Sequence, residues 1–281
     1  MMGSEVAEIK PLERGQLDAL IDAQNEIFSD YIIPMRSSRE FFIDFQRSVG
    51  GDLRYVLVAS IRGEIVGYVN PVIDRNEGWI GGVGVIPSMR GKGLGHRLML
   101  SAEEFCRSKG VRDIYLEVIE GNDRAQRLYE GLGYRATRKF VTAEGKPAKF
   151  EGFGTAPRRA DISEIIPLHE RAYKDTCWQR RKTETIIESA RGAECYCVSG
   201  GFVLTRTVDT SGFIPFLGVV PEQRGMGIGT SLAKFALARL WDLSAFKVAL
   251  YNVNEDLQTL RMLDKFDFKI TMKQTEMKKS I

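Results

Sequence analysis

The chain is poor in the residues that hold metals or staple small folds: 281 residues contain four cysteines and two histidines. Cys106, Cys177, Cys195 and Cys197, with His96 and His169, form no paired metal-ligand spacing and no disulfide framework for a chain this long, so no metal is expected. Cys195 and Cys197 flank Tyr196 in an alternation that reads as one face of a strand, where cysteine acts as a small buried hydrophobe. Long apolar runs are missing too. None approaches the roughly 18 residues of a membrane span, and the first ten residues hold no apolar core of signal-peptide length. A cytoplasmic protein with no membrane partner is the expectation. Charge of one sign is equally scarce. The net charge is +3, with 21 basic against 22 acidic residues in 1–154 and 19 against 15 in 155–281, where Lys269, Lys273, Lys278 and Lys279 crowd the end. A nucleic-acid binder carries a denser basic face than this, so no nucleic-acid partner is expected. Hydrophobic residues at 43% and charged residues at 27% are those of a folded globular chain, and the length suits two domains better than one.

An internal repeat is present at an offset of 134 residues. Segment 84–98 (GVIPSMRGKGLGHRL) lies over 218–232 (GVVPEQRGMGIGTSL) with eight identities in fifteen positions, where average composition gives about one. The same ungapped offset sets Leu116 on Leu250 and Tyr134 on Phe268. Two copies of one domain follow, 1–154 and 155–281. In the first, helical spacing predicts helices over 14–28 and 37–49; strands follow at 55–60, 65–70 and 79–85. A helix after the glycine loop ends at Gly110, and beyond it come a strand at 114–118, a short helix at 122–131 and a closing hairpin of 134–141 with 149–153. The second copy repeats this order with helices at 161–173 and 183–191, strands at 195–199, 202–207 and 213–219, and a long helix marked by Ile228, Leu232, Phe235, Ala236 and Leu240. Antiparallel hairpins leading into strand, loop, helix and strand predict a mixed α/β sheet, mostly antiparallel and flanked by helices, in each copy.

Both glycine loops, 90–95 (RGKGLG) and 224–229 (RGMGIG), leave a strand and enter a helix. Glycines let the backbone turn tightly and bring N–H groups against phosphate oxygens, while the helix N-terminus adds about half a positive charge. In the first copy Arg90, Lys92, His96 and Arg97 can add charge around that nest. A dinucleotide fingerprint would need glycine where His96 and Thr230 stand, and a Walker loop would need Gly-Lys-Ser or Gly-Lys-Thr, which the chain lacks. A tight turn alone would use one or two glycines, against three in each copy here.

The loop, the helix and strand after it, and Asn122, Ala125, Tyr129, Gly133 and Tyr134 at their spacing resemble the central motifs of the GNAT N-acetyltransferase superfamily, over most of both halves and most strongly over 79–135 and 213–232. The resemblance implies two tandem GNAT folds and acetyl-CoA as cosubstrate. It places loop amides of Arg90, Gly91, Lys92, Gly93, Leu94, Gly95 and His96 on the pyrophosphate. The strand residues Val83, Gly84 and Val85 would pair with the pantetheine arm, and one of their N–H groups would serve the oxyanion. The second copy offers Val219, Arg224, Gly225, Gly227, Gly229 and Thr230. The implied reaction transfers acetyl to a primary amine of a small molecule or peptide; the alternative is an acyl-CoA-binding regulatory module without turnover. A homodimer is compatible with either.

Acetyl transfer needs a neutral amine, a stabilised oxyanion and a proton for the departing thiolate. By resemblance Tyr129 is the proton donor, and a phenol near pKa 10 stays protonated at neutral pH; Ala125, Leu128 and Leu132 beside it also allow a core tyrosine. Asn122 reads as a helix N-cap and, by resemblance, as a cofactor contact. Glu117 and Glu77 are the candidate general bases. The stretch Phe28, Tyr31, Ile32, Pro34, Phe41, Phe42 and Phe45 reads mainly as core, in a region that borders the acceptor in the family. At the repeat offset Asn122 becomes Asp256 and Tyr129 becomes Leu263, so the second copy keeps its loop and lacks the proton donor.

Overall fold

The computed structural model describes residues 6–33, 35–154 and 156–281, so Pro34 lies outside the described residues. It divides into two compact units, Met1–Thr137 with Glu276–Ile281, and Arg138–Thr275. Among the described residues no helix is long and apolar enough to cross a membrane.

The first unit runs β1 (Glu8–Pro11), α1 (Leu17–Ile27), α2 (Arg39–Ser48), β2 (Leu57–Ile61), β3 (Glu64–Asp74), β4 (Glu77–Val85), α3 (Leu94–Ser108), β5 (Asp113–Ile119), α4 (Asp123–Gly131) and the start of β6 (Arg135–Gly145). Helices begin where a side chain can satisfy a free N–H: Ser38 Oγ accepts from Phe41 N, and Asn122 Oδ1 accepts from Ala125 N. Strands β1 to β4 pair antiparallel in order, and β5 joins β4 parallel. Leu98, Met99 and Ala102 of α3 bury one face of this sheet; Leu20 and Ile27 of α1 with Phe42 of α2 bury the other against Val56 and Tyr68.

A bulge in β4 shapes the middle of the unit. The register passes from Val69↔Val83 to Pro71↔Ile80, which leaves Gly81 and Gly82 opposite Asn70 alone. Both positions are tight: a Cβ on Gly81 would lie 2.7 Å from the Trp79 ring, and one on Gly82 would lie 3.0 Å from the Tyr68 hydroxyl. A bulge bends its strand and increases the twist. The β4·β5 ladder accordingly ends at Ile80↔Leu116, although β4 continues to Val85 and β5 to Ile119. The two strand ends frame a wedge-shaped gap.

The second unit takes the rest of β6 and then β7 (Arg158–Arg159), α5 (Ile162–Ala172), α6 (Trp178–Arg181), α7 (Thr183–Ala190), β8 (Glu194–Val198), β9 (Gly201–Val208), β10 (Ser211–Phe213), β11 (Leu217–Val219), α8 (Ile228–Asp242), β12 (Lys247–Asn254), α9 (Leu257–Lys265) and most of β13 (Lys269–Ser280). Where the first copy has Gly81 and Gly82, the second has Pro215 and Phe216, and the strand is cut in two. A proline has no N–H for a ladder. β10 pairs parallel with β12 as far as Phe213↔Ala249, and β11 pairs antiparallel with β9. The same wedge results from different residues.

The fold class matches the expectation from the sequence. The expected closing hairpin does not form. Residues 149–153 are not a strand, and Phe150 packs in the second unit's core with its ring 5.8 Å from Phe266. Residues 140–145 of β6 instead pair with β12, with Phe140↔Asn254 and Ala143↔Leu250. In the first unit, the place beside β5 is taken by the chain's last residues: Ile281 N donates to Arg112 O at 2.8 Å, and Lys279 Nζ meets the buried Glu103 Oε2 at 2.5 Å. Each unit thus completes its sheet with a segment from the other half of the sequence, and the division falls after Thr137 where the repeat pattern put it after residue 154. Alternation reveals which way a strand's side chains face, and the partner of that strand is a nonlocal matter.

Candidate active site

The loop after β4 is built on positive-φ backbone, with Gly91 at +81° and Gly93 at +77°; Gly225 and Gly227 repeat this at +80° and +83°. Gly93 is the N-cap of α3 and no side chain among the described residues caps the first turn, so the N–H groups of Leu94, Gly95 and His96 have no acceptor among those residues at the positive end of a 15-residue helix. Arg97 N is the first to bond inward, to Gly93 O. Gly227 heads α8 in the same way. Such a nest fits a pyrophosphate. Lys92 and His96 are exposed beside it.

The loop arginines do something other than line this nest. Arg90 turns back under the loop, where its Nε donates to Val85 O at 3.0 Å and Nη2 to Ile27 O at 2.7 Å, and it forms a two-point ion pair with Asp30 at 2.6 and 2.8 Å. Arg224 copies the fastening with Val219 O at 3.1 Å and Ala172 O at 2.9 Å. In both copies the guanidinium ties the end of the strand to the end of the helix before it.

The wedge supplies an open backbone edge. Ile86 N donates to Val66 O, and ladder bonds alternate along an antiparallel pair, so Val83 turns its N–H and C=O away from β3 and toward the gap, as does the Val85 N–H. Gly84 is needed for the close approach of α1, since a Cβ there would sit 2.2 Å from Ile27 Cγ2. On the far wall, Leu116 and Val118 face the α3 core, so Glu117 projects to the opposite, α1–α2 face of the sheet, where it is half-buried. Glu77 stands elsewhere. It opens β4 in register with Asp113 and accepts a hydrogen bond from the Tyr115 hydroxyl at 3.1 Å, about 13 Å along the strand from Glu117.

Tyr129 projects from α4 into the core shared with Val85, Leu94 and Val118, and Leu128 next to it lies 3.7 Å from a Cβ built on Gly95, which sets α4 against the loop. It is buried, with its ring 6.1 Å from that of Tyr134. Burial holds its phenol well above the ordinary tyrosine pKa, and the neighbouring Tyr31 adds to the effect. Asn122 Nδ2 donates to the Tyr31 hydroxyl at 3.3 Å. Tyr31, Asn122 and Tyr129 therefore form one polar cluster beyond the end of the β4·β5 ladder. Tyr31 belongs to the aromatic stretch read mainly as core; it lies in the irregular segment after α1, where no periodicity could single it out. Phe28 stacks edge-on against it at 5.2 Å, Phe42 is core, and Phe41 is exposed.

In the second unit Leu263 is 2% exposed and part of the core, and Asp256 caps α9 through Thr259 N at 2.8 Å. The wedge there is a cavity of about 660 Å³, bordered by Leu217, Gly218, Leu250 and Asn254 and reaching Gly227 and Thr230 of the loop. Its strand edge is not open. The Tyr173 hydroxyl donates to Leu217 O at 2.7 Å and accepts from Leu217 N at 3.3 Å and from the buried Arg180 Nη2 at 3.0 Å.

A glycine loop with free helix N–H groups, a splayed strand pair and a buried phenol thus lie together in the first unit. Residues 17–134 match the model of the Acetyltransferase (GNAT) family. The chain therefore carries a GNAT acetyltransferase domain, within the fold of tandem GNAT proteins. Solved structures resemble it along nearly its whole length. A GCN5-related N-acetyltransferase from Sphaerobacter thermophilus aligns with TM-score 0.74 and 18% identity over 98% of this chain and 95% of its own. A putative acetyltransferase from Pyrococcus horikoshii does so at 0.70 and 18% over 100% and 92%. A tandem GNAT protein from the clavulanic acid biosynthesis pathway aligns at 0.69 and 14% over 98% of both chains.

Proposed function

We propose that this protein is an N-acetyltransferase that moves an acetyl group from acetyl-CoA to a primary amine of a small molecule or peptide, and that the first unit does the chemistry. The observation that carries this reading is the buried Tyr129 beside a wedge whose open backbone edge leads into a phosphate nest. Acetyl-CoA, when bound, supplies the thioester carbonyl and the thiolate leaving group. Leu94, Gly95 and His96 N–H groups would hold the pyrophosphate, with Lys92 alongside. The Val83 and Val85 backbone would align the pantetheine arm like an added strand, and a Val83 or Val85 N–H directed into the wedge would stabilise the carbonyl oxygen as negative charge develops on it. Tyr129, kept neutral by burial, would hold the proton that the thiolate takes. Asn122 would fix Tyr31, whose ring borders the acceptor side. Glu117 lies on that side of the sheet and is the candidate to accept the amine proton, directly or through water. Arg90 and Arg224 are positioning residues for their loops in this scheme.

Thiol release from acetyl-CoA, measured over a panel of small amines and peptides, tests the reading. Turnover with at least one amine, lost in Tyr129→Phe, is expected. Thermal stabilisation by CoA with no thiol release from any amine would instead favour an acyl-CoA-binding module without turnover, the reading that Leu263 supports for the second unit.

A further inference from the structure

The two units differ by one oxygen atom at the strand edge. Arg90 bonds Ile27 O and Arg224 bonds Ala172 O, which equates the next residues, Phe28 and Tyr173. Both rings lie against the glycine at the same place in the repeat: Phe28 Cζ is 3.7 Å from a Cβ built on Gly84, and Tyr173 Cε2 is 2.9 Å from one built on Gly218. Leu217 is the repeat partner of Val83. In the second unit Val220 N donates to Gly200 O, the counterpart of the Ile86 bond to Val66, so Leu217 likewise turns its N–H and C=O toward the wedge. There Tyr173 satisfies both. Its hydroxyl is saturated, with one proton donated and two hydrogen bonds accepted, and Arg180 is pinned by a second bond from Nη1 to Tyr251 O at 2.8 Å.

We infer that Tyr173 is a lock on the second unit. Its hydroxyl occupies the backbone donor and acceptor that an acyl-pantetheine arm would use, which confines acetyl-CoA to the first unit, where the residue is Phe28. An arm entering the second wedge must first break two bonds to Leu217 and strand the half-buried Tyr173 hydroxyl and one donor of the buried Arg180, and leaving such groups unpaired is costly. The glycine loop of the second unit, read alone, predicts a second equivalent site. The lock separates a well-formed loop from a usable site. This inference rests on the proposed use of acetyl-CoA by the first unit.

Titration calorimetry of the full chain with CoA counts the sites. One site per chain is expected, abolished by Gly93→Val and kept in Gly227→Val. Tyr173→Phe removes a single oxygen from a packed ring and is expected to strengthen CoA binding at the second unit by about tenfold, enough to reveal a second site. Phe28→Tyr is expected to weaken the first site by a similar factor. Adenosine 3′,5′-bisphosphate, which lacks the pantetheine arm, is the control: its affinity should be the same in wild type and Tyr173→Phe, a result that a general loosening of the second unit would not give. Two equal CoA sites in the wild type, or an unchanged site count and affinity in Tyr173→Phe, would overturn the lock. No CoA binding by the wild type at all would instead overturn the proposed function, and the lock with it.

Discussion

The first and second units carry near-identical glycine loops on near-identical strand-to-helix turns, and they diverge within a few residues of those loops. One has a buried tyrosine on the helix after the wedge and the other Leu263; one has Phe28 against its strand edge and the other Tyr173. Even the wedge is opened differently, by a two-glycine bulge in β4 and by Pro215 between β10 and β11. The phosphate nest is the part of such a site that depends on backbone geometry, so it persists wherever the turn persists. Proton transfer and strand addition depend on single side-chain atoms and can be lost without disturbing the fold.

The sharpest way to break this comparison is at Tyr129, the proposed proton donor. Tyr129→Phe should lower kcat by about 10²- to 10⁴-fold in a steady-state acetylation assay, the range typical of a general acid. Adding Leu263→Tyr to that variant should restore nothing, because Tyr173 still closes the second strand edge. Recovery of activity would show the two units to be interchangeable. The loops come next. Gly93→Val forces a β-branched residue to φ +77° and should weaken CoA binding about a hundredfold, whereas Gly227→Val should leave acetylation unchanged. Equal losses from both would mean that both loops serve turnover.

Stability separates the units as well. Lys279→Met leaves the Glu103 carboxylate, 3% exposed, without its cation and should cost the first unit about 3 kcal/mol; amide exchange in α3 and β5 should accelerate while α8 stays protected. Acid supplies the smallest contrast. His169 in the second unit is fully buried, its Nε2–H donates to Arg180 O at 2.7 Å, and its Nδ1 finds no partner among the described residues. Burial lowers its pKa below the ordinary value, with the Arg180 charge acting the same way and its carbonyl opposing. The folded state thus favours the neutral ring. Its contribution is complete above pH 6.5 and declines as the pH falls below it, by at most about 1.4 kcal/mol per pH unit. Protection factors in α5 and β11, corrected for the intrinsic pH dependence of exchange, should fall between pH 6.5 and 5.5 by more than those in α3 and β5. Insensitivity of α5 in that window would remove this distinction.

Much of the site was legible because it is local. The loop glycines, the helix that follows, the Asn122 cap and the Tyr129 position are all set by short-range spacing, and the structure places them as that spacing implies. Tyr31 and Tyr173 were illegible because they sit just past the ends of α1 and α5, where neither period 3.6 nor period 2 marks a face, and Arg180 because it lies in the four-residue helix α6, too short to show a period. Glu77 and Glu117 were equal candidates as letters; register separates them, since only Glu117 stands beyond the last paired residue of β5.

By itself the sequence determined a duplicated α/β fold, a glycine loop opening a helix in each copy and the asymmetry of Tyr129 against Leu263. All of these follow from periodicity, glycine conformational freedom and the identity of one side chain. Tertiary structure alone decided which segment closes which sheet, that the loop arginines fasten backbone, and that Tyr173 covers Leu217. Strand pairing and side-chain reach join residues far apart in sequence, and those choices are made by packing, where local pattern carries no information.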